Sequence, residues 1–197
     1  MTQTLKTIRP RVRILKAATT ILTVGAFALS TSGYALFYGH KLNGGVHDRK
    51  YWLDGSVDSN LASQIYSSKW LWGNASSKIA LNQSSSVSNS QILFFESSTM
   101  YASLGFCGLF IPTDNGLNTV NNLNQSWDRA KVLLSNRVVS DTANCYNGQG
   151  IITHELGHVF GLAHVDFGTA VMRSDIAFLN ITSPKLDDVN GINALYK

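Results

Sequence analysis

HELGHVFGLAH, residues 154–164, is the stretch on which the reading of this chain turns. Histidines four apart on a helix lie one above the other, so His154 and His158 can present two imidazole nitrogens to a single ion. From Ile151 the pattern is helical, with Ile152, Leu156, Val159 and Phe160 able to face a core while the two histidines share another face. Gly161 can adopt the left-handed conformation that ends the helix and turns the chain back, which brings His164 in as a third ligand. A catalytic tetrahedral zinc site takes three protein ligands and keeps its fourth position for water. Glu155, beside the first ligand, is placed to accept a proton from water acidified by the metal and to deliver it to a leaving amine. The predicted reaction is peptide-bond hydrolysis by activated water, with Zn2+ as the one cofactor and no serine or cysteine nucleophile. A bare His-Glu-x-x-His arises by chance on ordinary helices. Here three of the chain's five histidines fall in eleven residues around a turn glycine, and that carries the metal reading. His40 and His47 have no partner at ligand spacing and read as surface residues.

Towards the C-terminus, Met172 stands eight residues after His164 in the run GTAVM, and DDVNGINALY follows near the end. The full pattern His-Glu-x-x-His-x-x-Gly-x-x-His resembles the metzincin zinc peptidases, and Met172 is similar to the methionine of their Met-turn, which lies beneath the metal. Within that group the closing segment and the spacing to Met172 resemble the matrixins, the matrix metalloproteinase type. The likeness is specific over residues 151–197 and general over 50–134. It implies an α+β, zincin-like fold with a mixed sheet above an active-site helix and a C-terminal helix. It further implies that Leu104 to Ile111 is the edge strand that binds substrate through main-chain pairing, with a specificity pocket walled by residues after His164 and around Met172 to Ile181. Several features depart from the family. There is no Pro-Arg-Cys-Gly cysteine switch, and residues 104–125 lack the histidine and aspartate cluster that holds a second, structural zinc. No tyrosine lies two residues after Met172. Asp114-Asn115-Gly116 admits Ca2+ but is better read as a plain turn.

Upstream, Lys50 to Leu53 reads as a strand. Residues 60–72 place Leu61, Ile65, Trp70 and Trp72 near helical spacing, with Gly73 as the stop. Ile79 to Leu81, Ile92 to Phe95, Leu104 to Ile111 and Lys131 to Leu134 have strand length, which gives about five strands. Residues 82–90 are a Ser/Asn-rich surface loop. At the other end, Ser183 reads as an N-cap, Pro184 as the first turn of a helix, and Asp187 and Asp188 as charges near its positive pole.

The N-terminus has Lys6, Arg9, Arg11, Arg13 and Lys16 with no acid, then the apolar run 17–29, then STSGYA. That is the layout of a secretory signal peptide. Thirteen residues at ~1.5 Å each reach about 20 Å, short of the ~30 Å of a hydrocarbon core. Residues 1–35 are therefore expected to be removed, after Ala35 or alternatively Ser30, leaving residues 36–197 as one catalytic domain. Five of the 16 Lys and Arg leave with that segment, so 11 stand against 12 Asp and Glu and the basic balance belongs to the precursor. No nucleic-acid partner is indicated. Cys107 and Cys145, an even pair in an exported chain, are a disulfide candidate. If the matrixin likeness holds, that bond ties the substrate strand to the loop before the zinc helix. The expectation is a secreted, extracellular, monomeric zinc endopeptidase acting on proteins or peptides, with no stable membrane association after cleavage. The alternatives are a catalytically silent zinc-bearing binding module of the same fold and a peptidase held at the membrane by an uncleaved N-terminus. Retention of Glu155 speaks against the silent module, since a structural site needs no general base.

Overall fold

The structure, a computed structural model, describes residues 39–100, 104–140 and 144–197. The expected signal segment and both of its candidate cleavage points lie outside them. Five strands form one sheet: β1 (Arg49–Leu53), β2 (Leu81–Gln83), β3 (Ile92–Ser97), β4 (Gly108–Thr113) and β5 (Arg129–Ser135). The order is β2-β1-β3-β5-β4. The first three pairings in that order are parallel, and β4 lies antiparallel on β5 at the edge. Helices α1 (Ser59–Ala75), α2 (Arg137–Ser140, a single turn), α3 (Gly148–Phe160) and α4 (Leu186–Leu195) complete the α+β architecture.

Several boundaries differ from the sequence reading, each for a local reason. Helix α1 passes through Gly73 to Ala75, and the Ser76 N–H closes it on Trp72 O. Its start is fixed by Asp58, whose carboxylate accepts from Leu61 N. The second strand begins at Leu81, because Ile79 N–H is engaged in a turn with Ser76 O and Ala80 N–H bonds to Val46 O. The edge strand starts at Gly108 and not at Leu104, since Gly105 has φ +73 and bends the chain just before it. Helix α3 begins at Gly148, three residues ahead of Ile151, with Asn147 Oδ1 accepting from Gly150 N. In α4 the N-cap is Lys185, so Ser183 and Pro184 precede the helix. Asp188 at N3 reaches back to accept from Lys185 N at 2.7 Å.

Helix α3 packs against α1, β4 and β5, and every residue from Gly150 to Phe160 is buried. Two indoles reach it. Trp72 Nε1 donates to Thr153 O at 2.8 Å, and Trp127 Nε1 donates to Val159 O at 3.1 Å. Both carbonyls lie within the helix, so each large ring is buried with its one polar atom satisfied. Trp72 also meets Phe160 edge to face, with centroids 5.3 Å apart. Burying side chains such as Leu156 or Ile152 stabilises by about 1.5–3 kcal/mol each, and in α3 it also fixes the helix against rotation.

Cys107 and Cys145 form a disulfide with Cα atoms 5.7 Å apart, closing a separation of 38 residues. It ties the residue before β4 to the loop just before α3. Replacing both cysteines by serine is expected to cost about 3–4 kcal/mol on the loop-entropy model, read as a lowered urea midpoint with a steeper slope, since the uncrosslinked unfolded chain is more expanded.

Candidate metal centre

Helix α3 positions His154 and His158 one turn apart, with ring centroids 4.5 Å apart. The chain then reverses at Gly161, which takes φ 105 and ψ 10. Gly161 N–H bonds to His158 O and Leu162 N–H to Gly157 O, both at 3.0 Å, so the end of the helix is closed as the chain leaves it. A side chain at 161 is excluded twice over. The dihedral is left-handed, and a Cβ would lie 2.8 Å from His40 O. The returning segment carries His164 back to the helix, where its Nε2 is 3.1 Å from Nε2 of His154 and 3.0 Å from Nε2 of His158.

The other ring nitrogens explain why three Nε2 atoms converge. His154 Nδ1 is 2.9 Å from Val171 O, and His158 Nδ1 is 2.7 Å from Leu162 O. A carbonyl only accepts, so both Nδ1 atoms carry the proton and both Nε2 atoms turn lone pairs inward. Burial lowers the pKa of His154 to about 3, with the nearby His164 adding to the shift. His158 is lowered chiefly by burial and then by His154 and His164, and His164 by burial against the opposing pull of Asp166. Facing lone pairs of neutral imidazoles repel unless a cation lies between them, and the ligand atoms of the three residues all fall within 4.8 Å of one another. The donor set of three imidazoles suits zinc.

Met172 is 2 % exposed. Its sulfur packs on the bare face of the helix at Gly157, where an added Cβ would collide with Sδ. The turn containing it is held from two sides. Val165 N–H bonds to Met172 O at 2.9 Å, tying it to the residue after His164. Asp188, 1 % exposed, accepts from Val171 N and Met172 N at 2.9 and 3.2 Å, and also from Lys185 N. Burial pushes the Asp188 carboxyl up, and these three amides pull it back. Asp188 therefore acts on His154 at one remove, by fixing the segment whose Val171 carbonyl orients the ring.

Glu155 turns towards the sheet and is 7 % exposed. Burial raises its carboxyl to about 8, opposed by a hydrogen bond from the Phe110 backbone. Phe110 also lays its ring over His158, with centroids 6.1 Å apart and planes 29° apart, so β4 touches both the acid and the imidazole cluster. The register of β4 settles which of its main-chain groups face outward. Cys107 O accepts from Ser135 N of β5, so by antiparallel alternation Leu109 and Ile111 also bond inward while Gly108, Phe110 and Pro112 face the open edge. Pro112 has no N–H to offer there, and its carbonyl is taken by Val120 N.

Asp114 closes a turn, its carboxylate accepting from the N–H and Nδ2 of Asn118. Around the specificity segment, Asn147 Nδ2 lies 2.6–3.1 Å from the carbonyls of Ile176, Leu179 and Ile181. One carboxamide thus caps α3 and pins the loop that follows Met172. The sequence reading missed this role of Asn147, although an Asn before Gly148-Gln149-Gly150 is an N-cap signal. It also missed the hold of Asp188 on the methionine turn, for which the only local trace is its N3 position in α4.

A family model described as matrixin, of the M10 peptidases, matches residues 36–197. Among solved structures, that of myroilysin has a TM-score of 0.52 at 11% identity, over 79% of this chain and 82% of that one, and shares the fold. An archaemetzincin from Methanopyrus kandleri has a TM-score of 0.47 at 14% identity, over 77% and 97%. No curated protein sequence matches this chain.

Two outcomes are expected. Asp188→Ala leaves two buried amides and a part-buried one without an acceptor and should cost about 2–4 kcal/mol in denaturant unfolding. The histidines have folded pKa values below their ordinary 6.5, so the unfolded chain takes up protons first as pH falls. Stability of the metal-free protein should therefore decline below about pH 6.5. By the same shift, calorimetric zinc titration at pH 6 should release fewer protons than the roughly two that three unperturbed imidazoles would release.

Proposed function

This chain belongs to the matrixin family, whose members are zinc metallopeptidases, and from that premise we propose that it is a secreted zinc endopeptidase in which His154, His158 and His164 hold the metal and Glu155 is the general base. The observation that carries the proposal is the convergence of three neutral Nε2 atoms, 3.0–3.1 Å apart, one residue from a buried carboxylate that faces an edge strand. Zinc held by His154, His158 and His164 would acidify a water molecule and polarise the scissile carbonyl. The chain's own groups do the rest. The outward-facing main chain of Gly108 and the carbonyl of Phe110 pair with an extended peptide and lay it along β4. Glu155, next to the ligand His154 and enclosed against β4, takes the proton of the attacking water and returns it to the departing amine. The segment pinned by Asn147 forms the wall against which the substrate side chain beyond the cut is selected.

Secretion is supported by the basic and apolar N-terminal run and by the Cys107–Cys145 disulfide, a bond suited to an oxidising compartment. Among the described residues no helix is long and apolar enough to cross a membrane.

The test is zinc content by elemental analysis beside cleavage of a quenched peptide library. One zinc per chain is expected, with activity lost on chelation and restored by zinc. Glu155→Ala should keep the zinc and lower kcat/KM by about 10²–10⁴. Zinc without cleavage of any peptide points instead to a binding module. A mature N-terminus at Leu36, or at Thr31 for the earlier cut, read by mass spectrometry, separates secretion from anchoring.

A further inference from the structure

Glycine weakens a strand, because it brings no side chain to pack and the greatest chain entropy to lose. Gly108 nevertheless opens β4. Its backbone does not require glycine, since it is not among the positive-φ residues. What excludes a side chain is Glu155. A Cβ at 108 would lie 2.6 Å from Cγ, 2.6 Å from Oε1 and 2.9 Å from Cδ of that residue. These atoms are the end of a rotatable side chain, so it is the Glu155 carboxyl that would have to give way, and its enclosure makes that displacement costly. Strand alternation puts residues 108 and 110 on the same face, and on that face the Phe110 ring covers His158. The Phe110 amide donates to the Glu155 carboxylate. The edge strand therefore meets Glu155 at two places, with empty volume at 108 and a donor at 110.

We propose that Gly108 is a positioning residue: its missing side chain leaves a seat in the edge strand, walled on the other side by the Phe110 amide, that fixes where the Glu155 carboxylate stands. This deepens the reading of Glu155 as general base and rests on it. A base must stay within hydrogen-bond reach of the proton it takes, and a displacement of about 1 Å costs on the order of 100-fold in rate. A single methyl group at 108 imposes a displacement of that size. The competing role for Gly108 is substrate pairing through its outward N–H and C=O, which Ala would preserve.

The experiment uses Gly108→Ala alone and in the Glu155→Ala background. In the otherwise native protein, Gly108→Ala should retain one zinc per chain, lower kcat by roughly 10- to 100-fold and leave KM within about twofold. A raised KM with unchanged kcat would overturn the seat, since the loss would then lie in substrate binding and not in the placement of the base. Thermal melting supplies a readout that needs no activity. Gly108→Ala should lower Tm by several degrees in the native background. In Glu155→Ala, where Cγ, Cδ and Oε1 are absent, it should leave Tm unchanged or raise it, because alanine restricts the unfolded chain. Equal losses in both backgrounds sink the proposal. If Gly108→Ala does not fold alone, recovery of folding in the double variant supports the seat. If the native protein cleaves nothing yet the melting coupling is present, the seat stands and the general-base role falls.

Discussion

Two of the three imidazoles at the centre of this molecule come from a straight helix and the third from the chain that leaves it, so the whole arrangement depends on a reversal within a few residues at Gly161. The left-handed dihedral makes the reversal possible, and the surroundings make it permanent. The N-terminal strand of chain at His40 and Lys41 passes directly beneath Gly161, and Leu195 of α4 closes the other side. Tyr196 Oη donates to Phe160 O, the last residue of α3, at 2.8 Å, and Lys41 Nζ bonds to Leu195 O. Both ends of the described domain thus converge under one turn. A larger residue at 161 would strain its own dihedral and displace both ends at once.

From that turn outward, orientation is passed along by carbonyl oxygens and not by charges. Leu162 O and Val171 O each fix the tautomer of one histidine, and Val171 is fixed in turn by Asp188. Among the described residues the only carboxylates that are buried, Glu155 and Asp188, are each met by backbone amides. This is the arrangement by which a low-dielectric interior tolerates an ionisable group. Burial of α3 on every side is what gives these hydrogen bonds their directional value, because the helix cannot turn to escape a poor geometry.

Much of this was legible in the sequence, and the pattern of what was not is physical. The four-residue spacing of His154 and His158, the glycine at 161 and Met172 beyond it are local signals, and the structure brings those residues together. The strands were readable as apolar runs, but their ends were set by long-range bonds such as Ala80 N to Val46 O, which no window of sequence contains. Gly73 looked like a helix stop and was absorbed, since tertiary packing of Trp72 carries the helix past it. Ser183 and Pro184 looked like a cap, yet Asp188 closes the helix onto Lys185 instead. Gly108, and the hold of Asn147 on the loop beyond Met172, were invisible for one reason: each acts through a partner that is far away along the chain.

The open side of β4 carries a further consequence for what such an enzyme spares. An edge that recruits by main-chain pairing examines the shape of a polypeptide before its composition, because the guest must surrender its own backbone partners over several residues to be laid down. Helices and interior strands of intact proteins are closed to it, whereas exposed loops, frayed tails and chains that have lost their native state are not. On the proposed reading, the set of targets is governed as much by the folding health of the surrounding proteins as by any sequence motif. The same edge is kept from capturing sister molecules by Pro112, which withholds a donor, and by Val120, which occupies the adjoining acceptor.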